Sequence, residues 1–342
     1  MKHNIPEKMR VILLRNYNIN IAKAVKSLEI IEVPIPSFKK SQVLIKVDAT
    51  TCNPSDLSFI QGSYGIKKEL PTVPGFEGTG IVVDAGKDAH SQLLIGKRVS
   101  FYSHPKSYGA WAEYAIADIN SCIPVHSAIP VEQAACMLVN PYTAFALFDI
   151  INKRKSKAFV MNAASGQLAG MMQDLSKKSN IKIINIVRKN NQIDTLKAKG
   201  EEYVLSTSDD NFYNNFKKLA NQLNATTFID AVSGEVSGKI LELMPANSKL
   251  LLYGALTGEN INNIAAKDLI FYGKSVEGFN LMQWIASKST SEITEITSKL
   301  QEKILKSEIK TEIYKKVKFE EVSSNLIRYM INMSAGKIII QP

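Results

Sequence analysis

Apolar runs of strand length alternate with helix-like stretches through the second half of this 342-residue chain. The runs are KAFVMN at 157–162, KIINIV at 182–187, YVL at 203–205, TFID at 227–230 and KLLLY at 249–253. The stretches between them that predict helices are 166–178, 191–199, 210–223 and 236–243. Because strands that alternate with helices pair in parallel, the pattern predicts an α/β chain with a doubly wound parallel sheet.

The first third of the chain has a different pattern. Short runs rich in Val and Ile, separated by Pro and Gly, predict strands at 9–14, 27–33, 42–49, 79–85, 97–101 and 110–117. This spacing favours an antiparallel, barrel-like β domain. The tail, from about Ser289, carries a charged helix, a strand near 312–319, another helix and a closing strand at 337–340, and we expect it to complete the first domain.

The pattern changes near Pro130, after which 131–146 predicts a helix. We therefore predict a β domain over 1–129, completed by 285–342, and a dinucleotide-binding α/β domain over 130–284.

The turn after the first parallel strand is built from small residues. KAFVMN runs into Ala163-Ala-Ser165-Gly166-Gln167-Leu168-Ala169, which opens a helix. Small residues let the backbone approach a pyrophosphate, and the helix N-terminus offers free N–H groups. The spacing Ala-x-x-Gly-x-x-Ala is a weak variant of the glycine fingerprint, so an ordinary tight turn is the alternative. The next strand follows at the expected distance, which favours a dinucleotide site.

Two cations, Arg188 and Lys189, end that next strand. A fold that binds NAD usually carries an acidic residue there for the ribose 2′-hydroxyl, whereas here the first carboxylate is Asp194. The planar guanidinium can grip a 2′-phosphate and the lysine adds a charge. The position predicts NADPH as the cofactor; the alternative is a solvated surface pair.

Composition excludes several classes of protein. The net charge is +10, but the lysines are spread along the chain among glutamates, so no nucleic-acid partner is predicted. No apolar run is long enough to span a membrane, and the first residues lack the apolar segment of a secretory signal. Three scattered cysteines do not make a disulfide framework. We expect a cytoplasmic protein.

Several motifs, taken together, resemble the medium-chain dehydrogenase/reductase superfamily, in its zinc-free branch of quinone oxidoreductases and 2-enoyl thioester reductases. They are Asn53-Pro-Ser-Asp56, Pro74-Gly-Phe-Glu-Gly78, Gly109-Ala-Trp-Ala-Glu-Tyr114, Asn140-Pro-Tyr-Thr143, Ala163 to Ala169, Asp230-Ala-Val-Ser-Gly234, Tyr253-Gly254 and Gly336-Lys337. The resemblance covers nearly the whole chain. It implies a GroES-like β domain, a Rossmann domain and a cleft between them.

The same resemblance predicts that no metal is bound. Zinc-containing relatives carry a cysteine and a histidine where this chain has Asn53 and Phe76. No Cys or His lies in 138–143, and the four histidines, at 3, 90, 104 and 126, form no ligand-spaced pair. Catalytic zinc needs about three side-chain ligands.

Tyr64, in IQGSYG, resembles the catalytic tyrosine of mitochondrial-type trans-2-enoyl thioester reductases. The resemblance makes it a candidate proton donor, whose phenol could serve a thioester oxygen or the α-carbon. The alternatives are a packed aromatic or a lid over the nicotinamide. Asn53 is expected to contact nicotinamide or substrate, Asp56 to cap the following helix, and Glu77 to be a buried structural partner.

Other cofactor contacts are implied by the resemblance. Besides Ser165, Gly166, Gln167 and Leu168, they are Thr143, Val232, Tyr253, Gly254, Phe279 and Lys337. Thr143 could instead be a packed helix residue, and Lys337 a surface lysine. The segment at 275–284 includes an edge strand that often forms the dimer contact, so we expect a homodimer. Glu201 stands where relatives often have a small residue, with no evident consequence.

The sequence thus predicts an NADPH-dependent, zinc-free reductase of an activated C=C bond, in a 2-enoyl thioester or enone, or of a quinone. The thioester version is favoured by Tyr64 and by Lys67 and Lys68, which could meet CoA phosphates. A quinone reductase needs no proton donor. A non-enzymatic NADPH-binding sensor and a zinc-type alcohol dehydrogenase are the alternatives from other classes.

Overall fold

The computed structural model describes residues 5–103 and 108–342. The strands, in chain order, are β1 (Lys8–Leu13), β2 (Glu29–Pro34), β3 (Gln42–Thr51), β4 (Glu77–Ala85), β5 (Arg98–Tyr102), β6 (Tyr114–Asp118), β7 (Cys122–Pro124), β8 (Ala158–Met161), β9 (Lys182–Val187), β10 (Tyr203–Ser206), β11 (Thr227–Asp230), β12 (Lys249–Leu252), β13 (Ser275–Gly278), β14 (Ile313–Lys318) and β15 (Lys337–Gln341).

The helices are α1 (Ile21–Lys26), α2 (Pro54–Gln61), α3 (Ala89–Gln92), α4 (Val131–Ala135), α5 (Asn140–Lys153), α6 (Gln167–Ser179), α7 (Asn191–Ala198), α8 (Phe212–Gln222), α9 (Glu235–Leu243), α10 (Ala266–Ile270), α11 (Leu281–Ala286), α12 (Thr290–Leu305) and α13 (Val322–Ile331). Within the described residues, no helix is both long and apolar enough to cross a membrane.

Two compact units divide the chain. One comprises the residues up to Asn140 together with those from Ile296 onward, and the other is Pro141–Glu295. The tail returns to the first unit because β15 pairs with β3, as the sequence predicts.

The first unit is built on an antiparallel sheet. Its strand order is β14-β15-β3-β4-β5-β7, with β6 also paired to β3. Strands β14 and β15 run parallel, and the other pairs among the described residues of this sheet are antiparallel. The antiparallel pair of β1 and β2, with α1 between them in the chain, shares the core of this sheet. Alternating apolar residues face a core that includes fully buried Trp111, Phe59 and Tyr329. Burial of such aromatic rings supplies much of the core's stabilisation.

The second unit is a parallel sheet in the order β10-β9-β8-β11-β12-β13. The chain runs outward from β8 to β10 and then returns to build β11 to β13 on the other side. The two halves therefore meet between β8 and β11, where doubly wound sheets bind ligands beyond the carboxyl ends of the strands. The predicted α/β fold class is confirmed.

One predicted helix is two. The stretch 131–146 forms α4 and the start of α5, because the N–H groups of Leu138 and Val139 both donate to Glu77 Oε2, at 3.0 Å, instead of continuing a helix. The unit boundaries also differ from those predicted. Ser100 Oγ donates to the Ala134 carbonyl at 2.7 Å, which holds α4 in the first unit rather than in the second.

Candidate active site

Helix α2 begins at a buried carboxylate. Asp56 is fully buried, and its Oδ2 accepts the Asn53 N–H at 2.7 Å, which caps the helix as expected. Its Oδ1 accepts the N–H of Phe76 at 2.9 Å. One side chain thus ties the start of α2 to the Pro-Gly-Phe-Glu-Gly turn.

Glu77 is the second buried carboxylate, 1% exposed. Besides the two N–H groups at 138 and 139, it accepts Asn53 Nδ2 at 2.8 Å. It is a structural partner, as the sequence predicts. On the other side of the Asn53 amide, Oδ1 accepts a hydrogen bond from Lys337 Nζ. A carboxylate at one end and an ammonium at the other fix the amide in one orientation. Asn53 is itself 1% exposed, and its second Nδ2 hydrogen is the group left for the predicted contact with substrate or nicotinamide.

Lys337 is buried beside Asn53. Its side chain is 2% exposed, and Nζ also lies 3.5 Å from the carbonyl oxygen of Cys52. The physical reason is β15, whose pairing with β3 brings residue 337 against the buried end of that strand. This placement rules out the alternative of a surface lysine, and the cofactor-phosphate contact of Lys337 stays a prediction.

Burial raises the pKa of both carboxyls. The pKa of Asp56 rises to about 7, chiefly through desolvation, against the opposing hydrogen bond from the Asn53 N–H. Desolvation also raises the pKa of Glu77, and the hydrogen bond from Asn53 opposes it. The network therefore holds two acids close together, one of which titrates near neutral pH.

Tyr64 lies in an aromatic cluster above this network. Its ring is 5.1 Å from that of Phe76, centroid to centroid, and Phe76 stacks on Tyr102 at 5.8 Å and 5°. Phe76 thus packs against the tyrosine at the position where zinc relatives carry histidine. Burial, and then the charge of Asp56, raise the pKa of Tyr64. The phenol is therefore protonated at neutral pH and able to donate.

Tyr102 is a member of this cluster that the sequence analysis missed. It ends β5 opposite Glu77 in the β4–β5 register. Burial, and then the neighbouring Tyr64, raise its pKa. The signal was present, since a tyrosine at the end of a strand paired with the Phe-Glu-Gly segment must lie beside that segment.

The two lysines after Tyr64 differ in environment. Lys67 is exposed, but Lys68 is 9% exposed and its Nζ lies 5.7 Å from the centre of the Phe59 ring. Burial lowers the pKa of Lys68 to about 8. Lys68 is thus a packed side chain, which corrects its expected role at a CoA phosphate.

The second unit contains the predicted dinucleotide turn. Strand β8 ends at Met161, and Gly166 caps α6 in an extended conformation. A Cβ at Gly166 would meet the Ala163 carbonyl oxygen at 3.1 Å and no other atom within 4 Å.

The hydroxyl of Ser165 lies in the same turn. Ser165 Oγ is buried and makes no hydrogen bond to any described residue. An unpartnered hydroxyl beside the N-terminus of a 13-residue helix fits a phosphate group. Gln167 and Leu168 are in the first turn of that helix.

Asn162 and Asp230 connect the two strands at the centre of this sheet, and the sequence analysis did not single them out as a pair. Asn162 Nδ2 donates to Asp230 Oδ1 at 2.5 Å, and Asn162 Oδ1 accepts the Ala231 N–H at 2.8 Å. The same Asp230 oxygen accepts the N–H groups of Val232 and Ser233, at 2.8 and 3.1 Å. The pair therefore fixes the turns after β8 and β11, between which the order of strands in the sheet reverses.

Arg188 and Lys189 follow β9 and are exposed. Their N–H groups both donate to Gln192 Oε1, at 3.2 and 3.1 Å. Neither charged group pairs with another side chain among the residues the structure describes. Both cations are thus available at the strand end that the NADPH prediction requires.

The remaining predicted contacts lie in the same unit. Thr143 is 6% exposed in α5. Tyr253 and Gly254 follow β12, and a Cβ at Gly254 would lie 3.0 Å from the Ala231 carbonyl oxygen, so glycine permits a close approach there. Phe279 follows β13, with its N–H donating to the Leu252 carbonyl at 2.8 Å. The cofactor contacts of all these residues stay predictions.

Within 5–103 and 108–342, no group of three or more His, Cys, Asp or Glu side chains is arranged to hold a metal ion. Two of the four histidines, His3 and His104, lie outside the described residues.

Comparison with known proteins places this arrangement in a family. Residues 39–127 match the alcohol dehydrogenase GroES-like domain. A solved protein from Mesorhizobium loti, provisionally assigned as an NADPH:quinone reductase, is 31% identical and superposes with a TM-score of 0.90 over 99% of this chain and 100% of its own. The chain belongs to the medium-chain dehydrogenase/reductase superfamily.

Within the superfamily it is an oxidoreductase of the quinone oxidoreductase and enoyl reductase branch. The mitochondrial enoyl-[acyl-carrier-protein] reductase of Dictyostelium discoideum is 26% identical over 89% of this chain and 87% of its own length. The human mitochondrial enoyl-[acyl-carrier-protein] reductase is 26% identical over 92% of this chain and 85% of its own.

Proposed function

We propose that this protein is an NADPH-dependent reductase of an activated C=C bond, in a 2-enoyl thioester or an enone, that works without a catalytic metal. The observation that carries the proposal is the packing of the Tyr64 ring on Phe76, 5.1 Å between centroids, where burial raises the pKa of the phenol. The likeness over most of the chain to the enoyl reductases of Dictyostelium discoideum and Homo sapiens supports it.

Residues of the second unit hold the cofactor in this proposal. The Ser165 hydroxyl and the first N–H groups of α6 bind the pyrophosphate, and Arg188 and Lys189 bind the 2′-phosphate. NADPH, when bound, supplies the hydride. The name of the 31%-identical relative includes the same cofactor.

Tyr64 supplies the proton in this proposal. Reduction of the C=C bond leaves negative charge on the substrate, and a phenol within hydrogen-bond reach stabilises or protonates it. The Asn53–Glu77–Lys337 network and Asp56 hold the backbone at Phe76, and Phe76 supports the Tyr64 ring. No Lewis acid is required when a neutral phenol does this work.

Quinone reduction is the second candidate, because the relative with the highest identity reported above is assigned to it. A quinone accepts hydride without a protein proton donor. The two candidates therefore differ in their dependence on Tyr64.

The test is steady-state NADPH oxidation with crotonyl-CoA and with a 1,4-quinone, with and without chelator. Tyr64→Phe should lower kcat/KM for crotonyl-CoA by about 100-fold or more, the usual contribution of a general acid, and leave the quinone rate within about twofold. Tyr17→Phe is the matched control, since it removes a phenol from the same cluster whose hydroxyl bonds the Lys68 backbone. Equal losses in both variants, or activity that chelator abolishes and zinc restores, would contradict the proposal.

A homodimer and a reducing, cytoplasmic setting are part of this proposal. Large apolar side chains are exposed on α10, after it and on β13, namely Leu269 44%, Ile270 69%, Phe271 79%, Tyr272 51% and Val276 39%. Strand β13 ends the order of its sheet, and such an edge favours pairing with a second copy. The free, buried cysteines Cys52, Cys122 and Cys136 fit a reducing compartment.

A further inference from the structure

A chain of buried polar side chains crosses the layer between α6 and β9. Gln173 is 4% exposed, Asn185 0% and Glu201 8%. Gln173 Nε2 donates to Asn185 Oδ1 at 2.9 Å, and Asn185 Nδ2 donates to Glu201 Oε2 at 2.9 Å. Packing alone does not explain these polar side chains. The neighbours of Asn185 in β9 are isoleucines, and an apolar residue would fill the same space.

Gln173, at one end of this hydrogen-bonded series, contacts the dinucleotide turn. Gln173 Nε2 also donates to the carbonyl oxygen of Ala164, at 3.0 Å. The Ala164 N–H donates to the Ile186 carbonyl at 3.2 Å, so both backbone groups of this residue are held. The preceding Ala163 has a φ of 48°, a left-handed conformation that alanine adopts only when neighbouring contacts impose it. Gln173 makes one of these contacts.

Glu201, at the other end of this hydrogen-bonded series, determines which groups donate and which accept. Glu201 Oε1 lies 3.1 Å from Lys177 Nζ, in an ion pair without hydrogen-bond geometry. An ionised carboxylate only accepts hydrogen bonds. Glu201 therefore selects the Asn185 orientation in which Nδ2 faces Glu201 and Oδ1 faces Gln173. Both Nε2 hydrogens of Gln173 are then used, one on Asn185 and one on the turn. The carboxylate of Glu201 thus fixes one arrangement of the two side-chain amides, those of Asn185 and Gln173.

We propose that Gln173, oriented through Asn185 by Glu201, is a positioning residue for the cofactor turn. By holding the Ala164 carbonyl, it keeps the adjacent Ser165 hydroxyl and the N-terminus of α6 directed at the phosphates of the dinucleotide. This inference rests on the proposed function for the identity of the ligand.

The test compares NADPH dissociation constants, from nucleotide fluorescence, with the unfolding temperature of each variant. Gln173→Met keeps the length of the side chain and removes both donors. We expect it to raise the Kd and KM for NADPH about tenfold, the value of one well-placed hydrogen bond, with kcat within about twofold. Glu201→Gln, which is remote from the turn, should raise the Kd in the same direction by a smaller factor.

Two further variants separate positioning from general stability. Ser176→Ala is the matched control, because it deletes another buried hydrogen bond of α6, to the Ile181 carbonyl, away from the turn. It should lower the unfolding temperature and leave the Kd unchanged. A triple variant replaces all three polar side chains with apolar ones (Gln173→Met, Asn185→Leu and Glu201→Met). It should recover the unfolding temperature lost in Gln173→Met but not the affinity for NADPH.

The outcomes are distinct. A wild-type Kd in Gln173→Met, an equal rise in Ser176→Ala, or recovered affinity in the apolar triple variant would overturn the inference alone. Failure of the wild-type protein to bind NADPH would overturn the proposed function and this inference together.

Discussion

At the scale of single residues, the buried Asp56 carboxyl has a consequence for stability. Its pKa is raised from 3.8 to about 7 in the folded protein. The folded state therefore holds a proton that the unfolded chain releases near pH 4. The stabilisation is fully present below the unfolded pKa and is lost as the pH rises through 7.

Asp56→Asn should remove this dependence. As the pH rises from 4 to 7.5, wild type should lose stability relative to the variant, by a few kcal/mol at about 1.4 kcal/mol per pKa unit. Urea unfolding followed by fluorescence of the fully buried Trp111 reports on this unit. The lost backbone hydrogen bond adds a constant offset, so the slope is the test. The slope is that of the free energy of unfolding against pH. If Asp56→Asn had the same slope as wild type, or as the surface control Asp210→Asn, the raised pKa of Asp56 would be contradicted.

Residue roles were predictable where they follow from local sequence. The Asp56 cap was expected from its place in Asn-Pro-Ser-Asp, before a helix, and Glu77 was expected to be a buried structural partner. The role of Lys337 was not predictable from local sequence. Its partner Asn53 is 284 residues away, and only the pairing of β15 with β3 brings the two together. No pattern in the sequence around 337 encodes that contact.

At the scale of elements, glycine in β4 permits a close approach of two strands. A Cβ at Gly80 would lie 2.0 Å from the Lys46 carbonyl oxygen of β3. In contrast, a Cβ at Gly170, in α6, would meet no atom within 4 Å outside its own helix. These two positions form a matched pair for the same substitution.

Gly80→Ala should destabilise the protein by about 2–3 kcal/mol, because β3 and β4 must separate. Gly170→Ala should stabilise it by about 0.5–1 kcal/mol, because alanine loses less backbone entropy in a helix. Thermal unfolding of both variants without cofactor checks the signs. A neutral Gly80→Ala would show that the strands are less tightly paired than described.

Element types were largely predictable from periodicity. Strands β9 and β11 have the predicted bounds, since both are short runs in which apolar residues predominate. Helix α1 was missed, because six residues give too little periodicity. The break between α4 and α5 was missed for a different reason. Pro141, in the first turn of α5, is a local signal that a helix begins there, and the prediction passed over it. The Glu77 carboxylate, which holds the N–H groups of residues 138 and 139, is distant in sequence.

At the scale of the whole molecule, the exposed apolar residues near β13 predict self-association. Phe271→Asp combined with Val276→Lys should shift the protein from dimer to monomer, because charges at the edge of a sheet oppose pairing. Sedimentation velocity measures the change. Ile331→Asp is the control, an equally drastic change at a side chain 85% exposed in the first unit. A monomeric wild type, or a dimer unaffected by the double variant, would contradict the proposal.

The division into two units was predictable because strand spacing and strand–helix alternation are distinct patterns. Its limits were not, since α4 is held in the first unit by paired hydrogen bonds between Gln133 and Thr311, at 2.8 and 2.9 Å. Such contacts join segments 178 residues apart. The sequence around Pro130 shows only the change of pattern.

The most direct test of the central claim is the ratio of kcat/KM for NADPH to that for NADH, in wild type and in Arg188→Ala. Loss of a charge-assisted pair to the 2′-phosphate should raise the apparent KM for NADPH about 10- to 100-fold and change that for NADH less than twofold. Arg15→Ala, at an exposed ion pair of the first unit, should change neither. Equal effects of Arg188→Ala on the two cofactors would contradict the account.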